Sequence, residues 1–111
     1  MKYFLTEAER KASRGTCYFE FQNGKYQDKH WLIDAIYLQA DKFDGLHLFD
    51  LFAKSIKDFD YYGTTEVNSE QWMKLVDNSF SNETWRNIII ELTPWVEECF
   101  KKHKCFTICG L

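Results

Sequence analysis

The sequence predicts an α/β (α+β) fold, a two-layer sandwich in which a small sheet with an N-terminal hairpin packs against three to four helices. Three observations carry it. Residues 16–22 alternate as a strand and run into Asn23-Gly24, the strongest short hairpin signal. Leu48, Leu51, Phe52 and Ser55 recur at helical spacing. The chain closes on a Pro-initiated helical segment followed by a β-rich tail. At 111 residues it makes a single domain, 1–111.

Thr6 followed by Glu9 is a capping-box pattern and starts a helix over 7–14, which stops near Gly15. In strand 16–22, Cys17, Phe19 and Phe21 share one face and Tyr18 and Glu20 the other, the pattern of a half-buried strand. Residues 25–38 admit either a returning strand or, over 29–40, a helix. Asp44 stands as cap to a helix over 45–57, with Asp50 and Lys54 four apart on its outer side. Residues 58–63 form a loop in which Gly63 supplies positive φ. Residues 64–67 read as strand or loop. Asn68 or Ser69 caps a helix to about Asn78. Ile88-Ile89-Ile90 favours a buried strand over 86–92, with a helix from Asn82 as its rival. Thr93-Pro94 opens a helix over 94–103, and 105–111 returns as a strand.

Composition narrows function. The aromatic share is 18%, with 4 Trp, 6 Tyr and 10 Phe, more than so small a domain buries completely. The net charge of −3 hides segregation: residues 31–98 carry 5 Lys and Arg against 13 Asp and Glu. An acidic body repels nucleic acid and attracts a basic protein. The N-terminus has no signal-peptide core and nowhere does an apolar run approach a membrane span, so the chain is expected to be cytoplasmic, without membrane contact, its cysteines reduced.

Metal and catalytic chemistry find no support in spacing. Cys99, His103, Cys105 and Cys109 resemble a zinc set only superficially, because Cys105 and Cys109 on a strand stand about 13 Å apart at roughly 3.3 Å per residue. Asp41, Asp44, Asp50, Asp58 and Asp60 lack the loop spacing of a calcium site. His30, His47 and His103 come with no nucleophile at a recognisable interval, so no catalytic residue, metal or cofactor is expected. Trp72, Trp85 and Trp95 read first as core.

The segment Asp58-Phe59-Asp60-Tyr61-Tyr62-Gly63 stands apart. It joins carboxylates to tyrosines after an amphipathic helix, the pairing with which a small protein grips a basic partner. Two adjacent tyrosines in an extended segment cannot both point inward. The candidate partner surface is Asp58, Asp60, Tyr61, Tyr62, Gly63, Glu66, Glu70 and Trp72.

With Tyr61-Tyr62-Gly63 between a helix and a Trp-bearing helix, residues 44–111 resemble the barstar-like ribonuclease inhibitors, which end in strand, helix, strand. The resemblance implies that this tripeptide binds a nuclease. Two departures stand out. Met73 follows Trp72 where that family carries an acidic residue, which shifts the plugging carboxylate to Glu66 or Glu70, and the family has nothing like residues 1–30. The chain also looks like the small immunity proteins of contact-dependent growth-inhibition systems. The leading expectation is therefore an immunity protein that blocks a cognate basic toxin domain. A protein–protein adaptor or scaffold is the alternative, and a small hydrolase the third reading.

Overall fold

A computed structural model describes residues 1–15 and 17–111. Thr16, where the predicted strand begins, lies outside the described residues. Among the described residues, five strands form one sheet in the order β1-β3-β2-β5-β4, every neighbouring pair antiparallel: β1 (Phe4–Thr6), β2 (Tyr18–Asn23), β3 (Ile36–Gln39), β4 (Thr64–Asn68) and β5 (Cys105–Cys109). The helices are α1 (Glu7–Ser13), α2 (Ala40–Gly45), α3 (Leu48–Ser55), α4 (Ser69–Ser79) and α5 (Glu83–Lys102). The two-layer α+β sandwich is the architecture of the chain.

One face of the sheet presents Phe4, Phe19, Phe21, Leu38, Phe106 and Ile108 to helices α2–α5. Helix α3 answers with Leu48, Leu51 and Phe52, and α5 with Ile88, Ile89, Leu92 and Val96. Burial of these side chains at roughly 25 cal/mol per Å² of apolar area is the main drive to this layer. The opposite face is covered as well. Helix α1 and the segment 24–35, with Ala35, lie over Tyr18 and Tyr37, so every residue from Tyr18 to Gln22 is buried rather than only alternate ones.

Local signals explain several boundaries. The Thr6–Glu9 capping box forms both its bonds at the start of α1. Asn68 and Gln71 form a second box at α4. The helix expected over 45–57 is α3, at 48–55; His47 at φ 55° separates it from α2, and Asp44 lies inside α2 rather than at a cap. Gly24, at φ 71°, ends β2 where the chain crosses close to the His103 ring, yet no tight hairpin follows. The chain reaches β3 only through the long segment 24–35, which is neither the strand nor the helix weighed for it. Residues 4–6 form an edge strand that the sequence did not announce.

Residues 86–92 are helix, not strand. Asn82 caps α5 by accepting from Trp85 N–H, and the buried positions Ile88, Ile89, Leu92, Val96 and Cys99 follow one helical face straight through Pro94. The β preference of three isoleucines yields to that face, a tertiary effect that routinely overrides propensity. Pro94 sits on the exposed side, where water can satisfy the carbonyl it leaves unpaired. The chain therefore ends helix, strand, and the order strand, helix, strand on which the barstar-like resemblance partly rests is absent. No helix among the described residues is long and apolar enough to cross a membrane.

Candidate functional site

The Asp58–Gly63 segment is a rigid turn. Asp60 accepts the Tyr62 N–H at 2.9 Å through Oδ1, and its own N–H donates to Thr65 Oγ1 at 3.0 Å. Gly63 is not at positive φ; its hydrogen leaves room for the Asp60 carboxylate, against which a β-carbon would collide. The end of the chain clamps the turn, with Gly110 N–H donating to Gly63 O at 2.7 Å and Leu111 N–H to Tyr61 O at 2.8 Å.

The two tyrosines part. Tyr61 turns inward against Phe19, Phe43 and Phe49, and its hydroxyl donates to the Asp44 carboxylate at 2.9 and 3.1 Å. That bond, then burial, pushes its pKa up to about 12. Tyr62 is 78% exposed, its ring edge-on to Tyr61. Asp58 and Asp60 are exposed. The fold adds Phe49, half exposed, with exposed Asp44 and Asp41 of α2.

Other predicted members do not join this surface. Trp72 is 6% exposed and packs edge-on against Phe106, so it belongs to the core rather than a partner surface. Glu66 is exposed on the sheet face away from α2–α5, and Glu70 lies on the first turn of α4, beyond the far end of β4. Trp85 and Trp95 pack at the edge of the core, as their first reading held, each indole N–H donating to a backbone carbonyl.

A second constellation lies on the other sheet face. Antiparallel pairing of β2 with β5 sets Glu20 beside Cys109, and segment 24–35 lays His30 over both. Glu20, 2% exposed, accepts Trp31 N–H and Leu32 N–H at 3.0 and 2.9 Å and the Tyr37 hydroxyl at 3.2 Å. Trp31 is held at φ 62°, a region sparsely used by large residues, under the Arg10 guanidinium 4.1 Å from its ring. Arg10 in turn pairs with Glu7, whose carboxyl it holds below the usual range. A cavity of about 390 Å³ opens here, lined by Cys17, Glu20, His30, Trp31, Cys109 and Leu111.

Burial, then the Glu20 charge, pushes the Cys109 thiol up to about 12, which makes it a poor nucleophile at neutral pH. Cys99, His103, Cys105 and Cys109 form no ligand group among the described residues; Cys99 instead donates to Cys105 O at 3.4 Å. Nothing in sequence spacing joins residues 20, 30 and 109, since only the register of β2 on β5 brings them together. Comparison with known proteins finds no matching family, curated protein or solved structure.

Proposed function

We propose that this chain is an immunity protein that binds a cognate basic toxin domain, a nuclease by preference, and covers its active site. The observation that carries the reading is Tyr62, presented outward on a turn braced by Asp60 and the C-terminus, amid Asp41, Asp44, Asp58 and half-exposed Phe49. A rigid aromatic anchor with a carboxylate surround is the chemistry that grips a cationic cleft made for phosphates. A braced turn loses little entropy on binding, and opposite charge speeds the encounter. The proposal needs no strand at 86–92 and no exposed Trp72.

The test is co-expression with a candidate cognate toxin, read as growth, together with affinity measured at low and high salt. Asp60→Asn keeps the acceptor that braces Tyr62 and removes the charge. Combined with Asp58→Lys and Tyr62→Ala, it should abolish rescue while the circular dichroism spectrum stays unchanged. Full rescue and unaltered low-salt affinity in that variant would remove this surface from the interface. An adaptor would protect cells against no toxin.

A further inference from the structure

We propose that Glu20, His30 and Cys109 form a zinc site at the base of the cavity between β2, β5 and segment 24–35. One ligand atom from each residue lies within 4.8 Å of the other two, and they supply one oxygen, one nitrogen and one sulfur, all zinc donors. His30 Nδ1 stands 3.5 Å from Glu20 Oε1. That is too long for a good hydrogen bond, but two ligands bound at about 2.1 Å on one tetrahedral ion are roughly 3.4 Å apart. The Cys109 sulfur lies on the same sheet face, within 4.8 Å of those two ligand atoms, and closes the set; His30, its side chain 51% exposed on its segment, is the ligand with room to adjust.

The outer partners fit the same purpose. His30 Nε2 lies 3.0 Å from the Tyr26 hydroxyl; donating there directs the Nδ1 lone pair at the ion. The backbone N–H groups of Trp31 and Leu32 and the Tyr37 hydroxyl fix the Glu20 carboxylate. A structural latch accounts for those bonds to Glu20. Strand register accounts for the thiol beside it, and the imidazole that segment 24–35 lays over this pair completes a set of three different donors. On binding, the thiol loses its proton to water and a Zn–S bond forms; thiolate and carboxylate together balance the charge of Zn²⁺. Three protein ligands leave the fourth position open to the cavity.

The test titrates the chelator-treated full chain with Zn²⁺ and with Co²⁺ as its coloured substitute. The expected results are one ion per chain, a raised melting temperature and a thiolate-to-cobalt charge-transfer band. Cys109→Ser and the exposed-site variant His30→Ala should each weaken binding more than about 100-fold, beyond the roughly 10–100-fold cost of losing an outer partner, which is the range expected for Tyr26→Phe. Cys17→Ser tests the other thiol on the cavity wall and should keep the band. Absence of the band, its loss only in Cys17→Ser, or wild-type affinity in His30→Ala would overturn the assignment.

Discussion

The two faces of one sheet are built on different principles. Toward α2–α5 the strands offer Phe19, Phe21, Leu38, Phe106 and Ile108, and four helices close over them. Toward α1 and segment 24–35 the same strands offer Glu20, Gln22, Tyr37, Thr107 and Cys109, equally buried. The first face is held by non-directional burial, which tolerates exchange of one apolar group for another of like volume. The second is held by directed bonds: Glu20 to the 31–32 amides, Gln22 Nε2 to Lys29 O at 2.8 Å, and Thr107 Oγ1 to Gly24 O at 2.8 Å. A buried polar layer specifies the path of an otherwise irregular segment, and it fails locally when one bond is lost. That contrast sets apolar burial on one face against directed polar bonds on the other.

The comparison breaks first at Phe21. Its ring meets Phe4 at 5.3 Å and stacks on Phe106 at 6.2 Å, with no exposure. Phe21→Ala should cost about 3–5 kcal/mol, read as a lower denaturant midpoint for the whole chain. Glu20→Ala should cost about 2–3 kcal/mol, since it strands the Trp31 and Leu32 amides that a carboxylate had satisfied, while the Tyr37 hydroxyl keeps Leu32 O at 2.8 Å. Its signature differs: amides of 24–35 should lose hydrogen-exchange protection while those of β5 keep theirs. Uniform loss along both segments in Glu20→Ala would show that the polar face supports the whole fold.

The same contrast explains what the sequence made legible. Periodicity reports apolar faces, so β2, α3, α4 and β5 were visible from Phe19 and Phe21, Leu48 to Phe52, Trp72 to Leu75, and the closing tail. It reports nothing about a polar face that is buried, and Glu20 therefore read as outward. Ile88-Ile89-Ile90 misled because a short apolar run fits strand and helix alike, and Pro94 looked like a start where it is an interior residue. At the candidate partner surface, adjacency said that Tyr61 and Tyr62 do not both point inward, but not which of them does. Asp44 and Phe49 were not legible there, because a contact between a turn and a helix seventeen residues upstream leaves no local trace. Trp72 read first as core and was also placed in the partner surface; its burial against Phe106 bears out the first reading.

Where the faces meet, Gly110 presses on the Tyr61 carbonyl with no space for a β-carbon. Gly110→Ala should break the Leu111–Tyr61 bond, cost about 1 kcal/mol as the loss of one hydrogen bond does, and loosen Tyr62. Tyr62 exchange broadening in NMR spectra checks it, and an unchanged turn would show that the C-terminus does not brace the block.

The smallest effect is electrostatic. Tyr61 titrates near 12 in the folded chain against an ordinary 10.0, chiefly through its bond to Asp44. Below pH 10 the phenol is neutral folded or unfolded, and this contribution is fully present. Between 10 and 12 only the unfolded chain ionises, so stability falls as pH rises through that window. Asp44→Asn removes the largest cause of the shift. Its Tyr61 should titrate nearer 10.0 by ultraviolet absorbance, and its stability should decline less steeply across the window than the wild type, because less folded-state preference for the neutral phenol remains to be lost. Tyr37 and Cys109, both pushed upward, contribute the same sign in both proteins, so the difference between the two curves belongs to the Tyr61–Asp44 pair. Superimposable curves would mean that the pair is solvated and leaves Asp44 free to meet a partner's cation.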